Sequence, residues 1–281
     1  MLIHLVTYAT RKFRHRQLLL SASAKANKVV STTKLWTSSS LKCSSFTSLC
    51  PDISLSERGS GFWSWKPFII LQILERVPDG DVVVYSDVGR KYPYILLENT
   101  IDDFVKWMNS KNQDVMPGVR IPWNGPMSMW TKRDALIAMS MDRSEIHEAT
   151  PIQASFSIWR NTPETREFVK EWQSLCLKRD LVSDDVSAIN TLEHPNFIAH
   201  RHDQSLLTLC CIKHGIQGIE IGRGQPKYNE RDLGILTAKL FNTQSQRTII
   251  GSLIYVSARG IQCVEKGIRH FFKFGKFYDE N

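Results

Sequence analysis

Asp87 is the residue best placed to do chemistry. It stands just past residues 82–85, a Val-Val-Val-Tyr run that reads as a strand covered on both faces, as in a parallel sheet. Gly89 then lets the chain turn away, so the carboxylate lies outside the carboxyl end of a central strand, where open α/β sheets bind ligands. An Asp-x-Gly sequence also serves as an ordinary turn, and both readings stand at this point. A second group is the run His200-Arg201-His202-Asp203-Gln204-Ser205. Asp203 just before an apolar helix suits an N-cap, yet so many polar and titratable side chains in one short stretch exceed what a cap needs. His200 and His202 read as metal ligands, acceptor contacts or plain helix-start residues. Arg58 and Lys66 form a third group, able to pair with phosphates, and they flank Trp63 and Trp65, which either fill the core or stack on a base or sugar ring.

The elements that must position these groups follow from local pattern. Residues 2–8 read as a first strand containing Thr7 and Tyr8, followed by a basic helix that starts near Arg11. Phosphates are commonly bound near a helix N-terminus in that arrangement. A short strand over 28–32 and a Ser/Thr-rich loop over 31–56 come next. Gly59, Gly61, Trp63 and Trp65 form a rigid aromatic turn. Pro67 then suits the first turn of a mostly buried helix, and Pro78-Asp79-Gly80 forms a turn before the strand, with Asp81 a turn residue.

Beyond Gly89 the pattern gives an amphipathic helix over 101–108 and a Pro/Gly-rich loop over 119–126 across a cleft. A helix over 131–141 carries Thr131 and Asp134 as a capping-box variant. Residues 152–159 alternate as a strand bordering the cleft and include Gln153. A helix opening at Pro163 runs to about residue 178, another spans 206–214 until Gly215 stops it, and a short strand covers 219–221.

The chain has 281 residues with 36 basic and 28 acidic side chains, a net charge of +8 that favours an anionic partner: nucleic acid, anionic lipid or a phosphorylated small molecule. No apolar run reaches the roughly 20 residues needed to span a bilayer, and no signal peptide is apparent, so the expected location is cytoplasmic. The six cysteines show neither CxxC pairs nor metal-ligand spacing and read as reduced structural thiols. The basic, aromatic end with Phe271, Phe272, Lys273, Phe274, Lys276 and Phe277 either contacts an anionic membrane peripherally, at its inner surface, or packs on the domain.

Taken in order, RGSGFWSWKP, GDVVVYSDVG, ASFSIWRNTPETREFVKEW and HRHDQS resemble a group of GT-A-fold glycosyltransferases of bacterial, cyanobacterial and large-virus polysaccharide loci. The resemblance runs from the first strand to about Gly222. It implies a single GT-A-like α/β domain over 1–222, with a central mixed, mainly parallel sheet flanked by helices. Residues 223–281 form an extension that packs on the domain or meets a membrane or partner. The activity implied is transfer of a sugar from a nucleoside-diphosphate sugar to a hydroxyl of a glycan or lipid-linked acceptor. Asp87 would then hold Mn²⁺ or Mg²⁺ and the diphosphate, although Ser86-Asp87-Val88 keeps only one acid of the usual DxD pair. Thr7, Tyr8, Arg11, Arg58, Trp65 and Lys66 would surround the nucleotide, while Asp203, with His202, and Gln153 would face the reacting sugar. The competing readings are a nucleic-acid-binding protein, which lacks any recognisable module for it, and a noncatalytic sugar-binding relative of the same fold.

Overall fold

The computed structural model describes residues 1–26, 28–88 and 100–220. Gly89, Gly222, Cys263 and the aromatic end over 271–277 lie outside the described residues, as does the whole 223–281 extension.

The described chain is a mixed α/β fold. β1 (Ile3–Ala9) leads through a 3₁₀ turn, Arg11–Phe13, into α1 (Arg14–Ala26) and then β2 (Thr32–Thr37). After short helical turns come α2 (Trp65–Leu74), β3 (Val82–Ser86), α3 (Thr100–Ser110), β4 (Val115–Met116), β5 (Val119–Arg120), β6 (Ile152–Gln153) and β7 (Phe156–Arg160). α4 (Pro163–Cys176), α5 (Asp203–Lys213) and β8 (Ile219–Glu220) complete the order. Five strands form the central sheet in the order β2-β1-β3-β7-β4. β1 is parallel to β2 and β3, whereas β7 is antiparallel to β3 and β4, so the sheet is mixed, as expected, and partly parallel.

All of β3 is buried, and its alternation explains why the run is apolar without interruption. Val83 and Tyr85 face one core with Phe68, Ile69 and Ile70 of α2, Trp172 of α4 and Leu206 of α5. Val82 and Val84 face the other, with Leu20 and Ala24 of α1 and Phe104 and Met108 of α3. A strand with helices on both faces has no solvent side to leave polar. Asp81 does more than turn the chain. Its carboxylate accepts from the Leu2 N–H at 2.7 Å and lies 3.1 Å from His4 Nε2, clamping the starts of β1 and β3 together. The Leu2 N–H, followed by His4, holds the Asp81 carboxyl below its usual range.

Several expectations need correction. The second strand is Thr32–Thr37 rather than 28–32, and the 31–56 stretch is not one loop. Its serines cap instead of breaking: Thr37 and Ser40 form a reciprocal capping box on the helix Ser38–Lys42, and Leu41 and Phe46 anchor the segment in the core. Thr131 and Asp134 cap nothing. The helix there is Arg133–Ala138, and Asp134 instead receives Ser187 Oγ at 2.6 Å and the Ala188 N–H at 2.8 Å. The supposed cleft loop over 119–126 contributes β5, the middle strand of a small sheet ordered β6-β5-β8. The single strand expected over 152–159 is two strands in different sheets, broken at Ala154-Ser155.

The aromatic turn is left-handed. Gly59, Ser60, Gly61, Phe62 and Trp63 have φ of 64, 57, 88, 56 and 58° in succession. Such a run is rare because each L-residue in it costs roughly 1–2 kcal/mol. It is held by the Phe62 N–H on Arg58 O at 2.7 Å, Ser64 Oγ on Gly61 O at 2.6 Å and Trp65 Nε1 on Gly59 O at 3.0 Å. A Cβ on Gly59 would sit 2.4 to 2.6 Å from the Trp63 indole. Gly59→Ala is therefore expected to destabilise the protein by roughly 2–4 kcal/mol, strain and overpacking combined. Urea unfolding measures it, and an unchanged midpoint would contradict the left-handed turn.

Candidate functional site

The site forms where strand order reverses. β2 lies on one side of β1 and β3 on the other, so a crevice opens beyond their carboxyl ends, at Thr10-Arg11 and Ser86-Asp87. Asp87 is held there on three sides. Its N–H donates to Ser155 O at 2.8 Å, Tyr85 Oη donates to its Oδ1, and Lys66 Nζ lies 3.8 Å from the same oxygen. The side chain stays 29% exposed. The break between β6 and β7 makes this possible, because it frees the Ser155 carbonyl for Asp87 and the Ala154 carbonyl for Lys66, which donates to it at 3.0 Å.

Behind Asp87 stands a buried charge pair. Lys66 projects from α2, where Gln72 is the other polar residue, and lies 2.7 Å from Asp203 Oδ2, with both side chains about 95% covered. The contact is a close ion pair rather than a directed hydrogen bond, since Asp203 Oδ2 accepts none with good alignment. Burial is the largest influence on both groups. It pushes the Asp203 carboxyl up to about 6; Lys66 only partly offsets the burial, and Asp87 adds a smaller repulsion. On Lys66 burial opposes the charge, but Asp203 and Asp87 together hold the ammonium above its ordinary value. With both carboxylates ionised, the trio of one cation and two anions carries one excess negative charge, and its accessible member is Asp87.

The α5 start differs from the cap expected at Asp203. His202 occupies the cap position with a positive φ of 53°, and Asp203 is the first helical residue. The His202 ring lies 5.4 Å from Phe62 and 5.3 Å from Trp63, donates from Nδ1 to Val182 O at 2.8 Å, and leaves Nε2 buried without a hydrogen-bond partner. Burial lowers its pKa. His200 accepts the Lys132 N–H at 3.1 Å and donates to Leu181 O at 2.9 Å. Both its nitrogens are thereby used, and burial holds it neutral, with a pKa of about 3, so it is a structural histidine and not a metal ligand.

The residues expected around a nucleotide separate into two groups. Thr7 is fully buried and ties β1 to β3 by donating to Ser86 O at 2.8 Å. Tyr8 and Trp65 pack against each other with ring centroids 4.1 Å apart and are both buried, so neither offers an open face to a ligand. Lys66 is likewise a buried brace. Only Arg11, in the turn after β1, and Arg58, paired with Asp184 at 3.3 Å, are exposed. Gln153 sits on β6 opposite Val119, next to the carbonyl that holds Lys66.

Sequence reasoning missed the second buried pair, Lys132 and Asp134, 3.6 Å apart. Lys132 Nζ also donates to Asp180 O at 2.9 Å, and Asp134 takes Ser187 and Ala188, which fixes the segment leading into His200 and Asp203. A TKRD sequence reads equally as a helix start, so only the burial identifies it.

Among the described residues no group of three His, Cys, Asp or Glu side chains is placed to hold a metal ion. Asp87 presents a partly exposed carboxylate at the end of β3, which fits a divalent cation whose other ligands are substrate oxygens and water. Cys43, Cys50, Cys176, Cys210 and Cys211 are free thiols, and burial raises those of Cys50 and Cys210 to about 11 and 12. Among the described residues no helix is long and apolar enough to cross a membrane. No protein-family model matches the chain, and no curated protein matches it.

Proposed function

We propose that the chain is a GT-A-like glycosyltransferase, moving a sugar from a nucleoside-diphosphate sugar to a hydroxyl of a glycan or lipid-linked acceptor. The observation that carries this reading is Asp87: an accessible carboxylate, braced by Tyr85 and Lys66, at the carboxyl end of a central strand where strand order reverses. That is the position at which open α/β sheets meet their ligands.

In this reading Asp87 would hold Mg²⁺ or Mn²⁺ beside the donor diphosphate. The cation, when bound, neutralises charge on the departing diphosphate. The bond from the anomeric carbon to the diphosphate oxygen breaks and its electron pair leaves with the nucleotide, while the acceptor hydroxyl oxygen bonds to that carbon and its proton passes to the departing diphosphate. Arg11 adds positive charge beside the phosphates. Lys66 and Asp203 act on the reaction through Asp87. Both are buried, and their pairing fixes where that carboxylate stands. His202 holds Phe62 and Trp63 against the start of α5.

The test is release of nucleoside diphosphate from a panel of nucleotide sugars with Mn²⁺ or Mg²⁺ present, offered mixed glycan and lipid-linked acceptors. Turnover of at least one donor is expected. Absence of release across the panel would end the transferase reading.

A further inference from the structure

Beside the start of α5 the surface carries Arg201, which the donor reading leaves without a task, and Arg58, which the sequence placed near the nucleotide. The Arg201 guanidinium carbon lies 4.1 Å from the centroid of the Trp130 ring. That indole is fixed: its Nε1 donates to Asn124 O at 2.7 Å, and the Trp130 carbonyl accepts both the Arg201 N–H at 3.0 Å and Ser205 Oγ at 2.6 Å. Arg58 repeats the arrangement, its guanidinium carbon 5.8 Å from the centroid of Trp63. Trp63 in turn stacks on His202, the residue after Arg201. One chain of contacts therefore runs Arg58, Trp63, His202, Arg201, Trp130.

The charges in this chain are not balanced. Among the described residues Arg201 has no carboxylate within ion-pair distance. Arg58 has Asp184 at 3.3 Å, but those side chains are 56% and 42% exposed, and water screens such a pair heavily. Partial burial, and then the positive charge of Arg58 itself, lower the Arg201 pKa. Between the two, the buried Nε2 of His202 lacks a hydrogen-bond partner and points toward Asp184, 3.6 Å away. A guanidinium whose face rests on an indole keeps its N–H edge free, and that edge matches the two oxygens of a carboxylate or phosphate.

We propose that Arg201 and Arg58 form a subsite for an oxyanion, carboxylate or phosphate, carried by the acceptor. The subsite adjoins the donor site, since Asp203, two residues after Arg201, is the partner of Lys66. It selects acidic sugars, uronates or sugar phosphates, over neutral ones. Calling the ligand an acceptor rests on the proposed transfer; the binding of the oxyanion does not.

Calorimetry with glucuronate, glucose 1-phosphate and glucose on the full chain tests it. Glucuronate or glucose 1-phosphate is expected to bind at least tenfold more tightly than glucose, and whichever binds better identifies the oxyanion as carboxylate or phosphate. Arg201→Gln is expected to weaken that binding tenfold or more, Arg201→Lys to weaken it less, and Asp87→Asn to leave it unchanged. Arg58→Gln carries the same expectation at about threefold, and its exposed side chain keeps the test valid should Arg201→Gln fail to fold. Equal binding of charged and neutral sugars, or arginine variants that bind as the wild type does, would overturn the subsite. Oxyanion binding by a protein that turns over no nucleotide sugar would retain the subsite and remove the transferase.

Discussion

Asp87→Asn is expected to lower nucleotide-sugar turnover by a hundredfold or more while the melting temperature moves by no more than a few degrees. Asn keeps an oxygen for Tyr85 Oη and the backbone bond to Ser155, so the end of β3 stays where it is. What is lost is the charge. Removing one preorganised electrostatic partner of a developing anion typically costs about a hundred- to a thousandfold in rate. Asp87→Ala is the harsher control, because it leaves the Tyr85 hydroxyl without this acceptor, at a cost of about 1–3 kcal/mol. Turnover by Asp87→Asn at the wild-type rate would remove Asp87 from the donor site.

Lys66→Met is expected to give the largest loss of stability. The side chain is buried and its ammonium faces two carboxylates, so the substitution deprives the buried Asp203 carboxylate of its counter-charge. Breaking one side of a buried pair costs about 3–5 kcal/mol, and Lys66→Met with Asp203→Leu should recover much of it, since matched apolar replacements are often neutral. The pH dependence has a definite sign. Asp203 already has a folded pKa of about 6, above the ordinary carboxylate value of 3.8, so its protonation favours the folded state. That contribution is complete below about pH 4 and is lost as pH rises through 6. Without Lys66 the carboxyl shifts further upward, and the deficit of Lys66→Met should be smaller at pH 5 than at pH 7.5. Urea midpoints at the two pH values measure this. A deficit that is constant with pH, or absent, would show that the pair is not buried as described.

Asp87, β3 and α2 were legible because their signals are local: a β-branched run, a Pro-Asp-Gly turn, a proline near a helix start. Lys66 carries a usable signal. A lysine inside the apolar stretch Trp-Lys-Pro-Phe-Ile-Ile-Leu favours burial against an acid over the phosphate or solvated roles that its charge suggests. Which acid it finds is a long-range fact, and nothing near Lys66 names Asp203. Asp203 is open to two readings for the same reason. Its place before a helix suggested a cap, but His202 in a left-handed conformation takes that position and turns the carboxylate inward. The turn over residues 59–63 was expected to be rigid and aromatic. Its handedness was not legible, because Ser60, Phe62 and Trp63 adopt positive φ only under the hold of surrounding hydrogen bonds. Serines over 31–56 suggested a loop by composition, although capping satisfies the same side chains in short helices.

The central claim is that the crevice beyond β1 and β3 receives a nucleoside diphosphate through Asp87. The most direct measurement is titration calorimetry of the wild type and Asp87→Asn with uridine and guanosine diphosphates and their sugars, each with and without Mn²⁺. At least one diphosphate is expected to bind the wild type, more tightly with Mn²⁺, and Asp87→Asn is expected to abolish the Mn²⁺-dependent gain. Binding that is absent for every diphosphate, or equal in the two proteins at every Mn²⁺ concentration, would contradict the claim.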